Sequence, residues 1–367
     1  MSAEGELTVQ WLGDIALTAQ FLDPTHHALI RRSVQLLCSN LPPADLRIAN
    51  WEAPLLGSPD ISPHKRVALH TNEETASNVT PFGLDVAIVA NNHIFDCMRS
   101  GFERTVSFFD SRGVRWVGAG LSEVEAVRPL FLEPRGIRVA LLAYVDADTN
   151  PQIPPHGSMY VNWLEPERVI AEVRSLSRDG HAVLVSFHCG MDFVALPSPR
   201  HRDLARQVVE AGASLVMCCH PHRIQAYERW AHGYIFYGLG NLLAGNIYPW
   251  PRLAEPTVGL TVRIERRRVT GVDIRHFIFR DGLLEFDLRN RGQRAYEKAN
   301  RKLAAPNEQY ARHFAKALAC ELAFTRPWHF VRRKRNPFEI LRSLELRHVS
   351  EYRRLIADII KGRKQRG

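Results

Sequence analysis

The sequence predicts an α/β fold in which two β-sheets pack face to face beneath covering helices. Three observations lead to it. Short apolar, β-branched runs recur along the chain and alternate with stretches of helical spacing. Two pairs of such runs, 130–132 with 139–145 and 258–265 with 269–279, flank tight polar turns and read as hairpins. Most strikingly polar are the run ends: five or six of them stop at Asp, Asn, Glu or His, and strand carboxyl ends are where open α/β sheets place their chemistry.

The elements follow in order. Residues 7–12 form a first strand that ends in Gly13-Asp14. Residues 24–40 have helical spacing, with Leu29, Ile30, Val34, Leu36 and Leu37 on the apolar face. A short strand, 46–50, runs into Asn50-Trp51-Glu52-Ala53-Pro54-Leu55. A Pro/Ser/His-rich loop at 57–63 precedes an expected strand at 66–70 and a helical turn at 73–78. The apolar run 86–90 reads as a strand buried on both faces. It turns polar at Asn91-Asn92-His93, with Asp96 one short turn later. A helix over 101–112, a strand at 114–117 and the first hairpin come next. A Pro-rich loop spans 150–156, and residues 166–178 are helical. Strand 182–187 ends in His188-Cys189-Gly190, helix 199–211 follows, and strand 214–217 leads to His220-Pro221-His222. Strand 234–237 ends in Gly238-Leu239-Gly240-Asn241, before the second hairpin. From Arg291 onward the pattern is helical, over 309–324, 337–347 and 351–360. There is no internal repeat.

A chain of 367 residues with 45% hydrophobic and 24% charged residues can bury a large core. No apolar run reaches the length of a membrane span, and the first residues do not read as a signal peptide, so a cytoplasmic location is expected. The six cysteines show no C-x-x-C spacing and read as reduced thiols. The net charge of +9 is unevenly placed. Residues 291–367 carry 20 basic against 7 acidic residues, leaving 28 against 32 in the rest. The expected division is therefore a mildly acidic body, 1–288, and a basic helical extension, 289–367. The acidic body argues against nucleic acid as a partner. The basic clusters 332–335 and 361–366 read first as a solvated appendage. Their alternative is contact with an anionic surface, each basic residue near an anionic leaflet contributing about 1 kcal/mol, which would give peripheral membrane association.

Each polar strand end has an ordinary reading on its own. Asp14 suits a turn, Glu52 a solvated loop, Asn92 a helix cap and His188 a satisfied core histidine. His220-Pro221-His222 is the sharpest signal: two histidines flanking a proline in an extended segment project to one side. Taken together, oxygen ligands and imidazoles suit Zn, Mn or Fe better than Ca or Mg. Cys189, Cys218 and Cys219 at buried strand ends read as core.

The ordered set Gly13-Asp14, 50–55, 91–96, 188–190, 220–222 and 237–241 resembles the CapA family of poly-γ-glutamate capsule synthesis proteins (the PGA_cap domain). That family is similar in fold to the calcineurin-like metallophosphoesterases. The resemblance spans about residues 7 to 280. It implies a four-layer α/β/β/α sandwich with one or two divalent metal ions (Mn, Zn or Fe) at the strand ends. It implies metal contact for Asp14, Glu52, Asn92, His188, His220 and His222, a catalytic acid at His93 and an orienting carboxylate at Asp96. Asn50 and Asn241 become further substrate contacts. The implied activity is metal-dependent hydrolysis of an anionic small molecule or polymer, through a phosphoester or γ-glutamyl bond. The alternative is a non-catalytic partner in capsule polymer biosynthesis. The chain departs from the wider pattern at Ala16, where those phosphoesterases carry a histidine, and at His188-Cys-Gly-Met-Asp192, where the family commonly has His-Trp-Gly-x-Glu.

Overall fold

The computed structural model describes residues 5–58, 61–63, 65, 67–151, 158–245 and 255–321. Two sheets carry the fold. The first has eight strands: Leu283–Phe286, Arg268–Arg280, Glu255–Glu265, Glu6–Ala16, Leu46–Trp51, Val86–Ile88 and Arg115–Val117 in spatial order, with Asn241–Ala244 pairing alongside Glu6–Ala16. The second has six: Tyr227–Trp230, Gly233–Phe236, Ala213–Cys219, Ala182–His188, Val139–Val145 and Leu130–Leu132. The central strands of both sheets run parallel, while the predicted hairpins supply antiparallel edges.

The layers follow from which face each side chain takes. Leu7, Val9 and Trp11 alternate inward and meet Leu141, Leu184, Leu215 and Met217 of the opposite sheet. Leu12 and Ile15 point the other way, toward helix His27–Asn40, whose Ile30, Val34 and Leu37 recur at helical spacing. Helix Met98–Asp110 covers the same face through Phe102 and Phe109. On the far side, helices Pro166–Arg178 and Pro199–Ala211 bury Val169, Val173, Leu204 and Val208 against the second sheet. The order is helix, sheet, sheet, helix, the expected four-layer α/β/β/α sandwich.

Beyond residue 288 two helices, Arg291–Leu303 and Asn307–Cys320, dock on the body. Ala299, Leu303, Tyr310, Phe314 and Leu318 join the second-sheet core. Tyr310 is fully buried, donates to the Pro197 carbonyl at 2.6 Å and stacks under Arg202 at 4.3 Å. The expected helices at 337–347 and 351–360, and both basic clusters, lie outside the described residues.

Two local expectations are corrected. Described residues 67–70 form no strand; only Leu55 and Thr71 pair, as an isolated bridge. Pairing for that segment is replaced by contacts to the 91–96 turn, where Leu69 N–H donates to Asp96. The His220–His222 segment is not extended: φ is 92° at His220 and 53° at His222. The chain leaves Ala213–Cys219 through a left-handed bend that curls both rings inward, and such φ values at non-glycine residues cost about 1–3 kcal/mol each and cluster at functional sites. All six cysteines are free, and among the described residues no helix is long and apolar enough to cross a membrane.

Candidate metal centre

The first sheet delivers its polar groups through an irregularity. Pairing between Glu6–Ala16 and its neighbours shifts register around Asp14. Gly13 makes this possible: the backbone of residue 240 passes so close that a side chain at 13 would collide with the Gly240 carbonyl. Asp14 N–H donates to that carbonyl at 3.2 Å. Asp14 then stands level with Asn50 on one side and Asn241 on the other.

Asn50 is completely buried and ties the carboxylates together. Its Nδ2 donates to Asp14 Oδ1 at 2.8 Å and to Glu52 Oε1 at 3.1 Å. Asn91 Nδ2 holds the Trp51 carbonyl at 2.8 Å and accepts the His93 N–H on Oδ1 at 3.0 Å. Strand Val86–Ile88 therefore ends in a turn whose first asparagine is structural. Asn92 Oδ1 faces His188 Nε2 at 2.9 Å, while its Nδ2 donates to the Thr149 carbonyl at 3.1 Å. His93 Nδ1 lies 2.6 Å from Asp96 Oδ2.

The second sheet brings the imidazoles. His188 closes strand Ala182–His188, level with Cys219, and its Nε2 is 4.0 Å from Glu52 Oε1. His188 and His220 rings are 4.9 Å apart and His220 and His222 rings 5.7 Å apart. His222 Nδ1 meets Asn241 Oδ1 at 2.8 Å and Asp14 Oδ2 at 3.3 Å. His220 Nε2 meets Asp192 at 3.1 Å. Every predicted ligand thus reaches one buried cleft between the sheets, with the His93–Asp96 pair beside it. Asn50 and Asn241, read as further substrate contacts, hydrogen-bond the Asp14 and Glu52 carboxylates and His222 respectively.

The donors form two overlapping triads, Asp14–Glu52–His222 and Asp192–His220–His222, each with ligand atoms within 4.8 Å of one another. The electrostatics match a site built for a cation. Burial, reinforced by Asp14, lifts the Glu52 carboxyl to about 8. Burial opposes charge on His222, yet the Glu52 and Asp14 carboxylates raise it to about 9. Burial holds His220 down to about 4 and pushes His188 well below the usual imidazole range, with neighbouring histidines adding to the latter. Glu52 Oε2 is buried with no hydrogen-bond partner. Unpaired acceptors of this kind are costly unless a cation compensates them. Carboxylates and imidazoles are the donor set of Zn, Mn or Fe, so these residues fit a divalent metal.

Residues 8–246 match the family model described as "Bacterial capsule synthesis protein PGA_cap". The chain belongs to the PGA_cap family. Relatives include the capsule biosynthesis protein CapA of Bacillus anthracis, 32% identical over 49% of this chain and 44% of that protein. The PGA biosynthesis protein CapA of Bacillus subtilis (strain 168) is 28% identical over 49% of this chain and 47% of its own. The chain spans about half the length of these curated relatives. A Staphylococcus aureus structure titled "Putative 5'-Nucleotidase", solved with alpha-ketoglutarate, aligns at a TM-score of 0.51 and 11% identity over 80% of this chain and 58% of that one. The shared fold is that of the metallophosphoesterases.

Within this PGA_cap chain, Ala16 offers no ligand atom; it is buried in a small apolar cluster with Ala53, Leu69 and Ala244. Two residues of the centre escaped sequence reasoning. Asp192 belongs to a metal triad, and its only signal was the Asp at the position where the family commonly has Glu. Lys65 is buried against Asp96 Oδ1 at 3.4 Å and donates to the Asn92 carbonyl, and nothing in its Pro/His-rich surroundings marked it. A third group, Asp146–Asp148–His201, supports the site from behind. Asp146 N–H donates to the His188 carbonyl at 2.9 Å, and the Asp148 carboxylate accepts from Gly190 N–H at 3.3 Å. Asp146 is neutralised by His201 at 2.9 Å and Arg200 at 2.8 Å, so this group is satisfied internally.

Proposed function

We propose that this PGA_cap chain is a metal-dependent hydrolase that cleaves a phosphoester or a related bond in an anionic substrate of capsule polymer metabolism. The observation that carries the reading is the convergence of Asp14, Glu52, His188, Asp192, His220 and His222 in one cleft, with the His93–Asp96 pair at its side. The names of the Bacillus relatives, capsule biosynthesis and PGA biosynthesis proteins, support the substrate class. A divalent cation held by these residues supplies Lewis acidity and a water that ionises near neutral pH, about 7 for zinc. The protein's own contribution is proton handling and orientation. Asp96 occupies Nδ1 of His93, so Nε2 is the nitrogen left for the leaving oxygen; the doubly protonated ring gives its Nε2 proton there and returns to the neutral form with hydrogen on Nδ1. Asn50 and Asn241 hold the carboxylates and His222 in place.

Elemental analysis of purified protein beside His220→Ala tests the centre, and a phosphoester panel with His93→Ala tests the chemistry. Near-stoichiometric Mn, Zn or Fe that falls in His220→Ala is expected. His93→Ala is expected to keep metal and lose about 10²–10⁴ in turnover, the usual worth of a general acid. Wild-type turnover in His93→Ala refutes its role. A second reading, a non-catalytic partner in polymer biosynthesis that keeps the fold, is favoured by Ala16 withholding one ligand. Metal-loaded protein that turns over no member of the panel selects it.

A further inference from the structure

The Lys65 ammonium touches both halves of the 91–96 turn. Its side chain is 8% exposed. It faces Asp96 Oδ1 at 3.4 Å and donates to the Asn92 carbonyl. The loop that carries it is fastened to the same carboxylate-bearing turn at three further points. Ser62 N–H donates to the Asp96 carbonyl at 2.8 Å, Leu69 N–H donates to Asp96 Oδ2 at 2.7 Å, and Cys97 Sγ donates to the Leu69 carbonyl at 3.7 Å. A lysine with so little exposure persists only where its charge is compensated, because an isolated ammonium is expensive to bury.

The division of labour on Asp96 is informative. Oδ2 receives the Leu69 N–H and the His93 ring; Oδ1 faces Lys65. A neutral His93 brings a hydrogen bond to Asp96 but no charge. Lys65 is therefore the Lys or Arg in contact with this buried carboxylate among the described residues; burial lowers its ammonium below the usual lysine range and Asp96 opposes that. A carboxylate oxygen placed at Nδ1 accepts the ring's hydrogen there, which sets the tautomer. Through the Asn92 carbonyl the same ammonium also anchors the residue whose Oδ1 faces His188.

We infer that Lys65 is a positioning residue for the reaction: its ammonium fixes the Asp96 carboxylate through Oδ1 and the 91–96 turn through the Asn92 carbonyl, so that the His93 ring is held in one tautomer and orientation beside the metal cleft. This deepens the proposed hydrolase reading and rests on it for the kinetic part. The sequence neighbourhood gives no such indication, since the chemistry arises from a loop folding back on a turn 27 residues later.

The test uses the full chain, metal-loaded, with ¹⁵N-labelled histidine and the His93 resonance assigned by its absence in His93→Gln. Wild-type protein is expected to show a hydrogen-bonded, slowly exchanging His93 Nδ1 proton. Lys65→Met and Lys65→Gln both remove the charge, and both are expected to lose that proton signal while keeping bound metal. On a turned-over phosphoester, kcat is expected to fall about 10- to 100-fold with KM within about twofold, the scale at which supporting partners act. An unchanged His93 signal together with unchanged kcat in either folded variant overturns the inference. If one variant fails to fold, the other decides. If the wild type turns over nothing, the hydrolase reading fails while the His93 signal still decides the role of Lys65.

Discussion

Returning a divalent metal to the stripped protein is predicted to expel between one and two ligand protons per site at pH 7. The protons come from two groups that face each other. Glu52 is raised from 4.5 to about 8 and His222 from 6.5 to about 9. The ionised Glu52 is what raises His222, so the pair shares its protons at pH 7, and both groups must give up what they hold to bind a metal. The sign for stability follows from the same values. Both folded values lie above the unfolded ones, so their contribution is complete below pH 4.5 and 6.5 and is lost as pH rises through about 8 and about 9. For the fully buried His222 that shift corresponds to about 3 kcal/mol. The metal-free fold should thus weaken from pH 6 to 9 while metal affinity strengthens. Calorimetric titration of chelator-stripped protein, in buffers of differing ionisation enthalpy, counts the protons directly. Glu52→Gln removes one titrating ligand and the chief charge that raises His222, so the count should fall to one or fewer, which separates ligand protons from any lost by bound water. A count near zero, or an affinity independent of pH over that window, refutes the reasoning.

Three further outcomes are expected. Asn50→Ala removes the amide that bridges Asp14 and Glu52 and should weaken metal binding about 10- to 100-fold, measured by competition with a chelating dye. Gly13→Ala drives a methyl into the Gly240 carbonyl, so thermal unfolding should shift downward and metal content should fall with it. Tyr310→Ala leaves a void under Arg202 and deletes the bond to Pro197, at a cost of about 3–5 kcal/mol in urea unfolding. A change under about 1 kcal/mol would mean that helix Asn307–Cys320 is not docked in solution.

The layers were legible because burial on both faces leaves a plain pattern. Strands such as Val139–Val145 and Ala182–His188 are buried throughout and mostly apolar, and their helices repeat at the expected spacing. Two short strands were missed. Asn241–Ala244 opens on the polar Asn241 and pairs in parallel with Glu6–Ala16, far along the chain, and Tyr227–Trp230 carries Glu and Arg and lacks the apolar run that marked Gly233–Phe236. The strand expected over 66–70 failed for another reason: a short apolar run was present, but the Leu69 N–H found the Asp96 carboxylate instead of a ladder.

From the sequence alone came the residue types at the strand ends, and with them the donor chemistry of the centre. Asp14, Glu52, His188, His220 and His222 were each visible because a polar group closing an apolar run is a local event. Only the tertiary structure decided their partners. It set Asn50 against Asp14 and Glu52 and Asn241 against His222, brought in Asp192, and set the Lys65 ammonium on Asp96. It also revealed the left-handed bend that turns His220 and His222 into the cleft. The physical reason is that a hydrogen bond or ion pair between distant segments needs both groups at a fixed separation, and that separation is set by sheet register and loop return, neither of which a linear pattern contains.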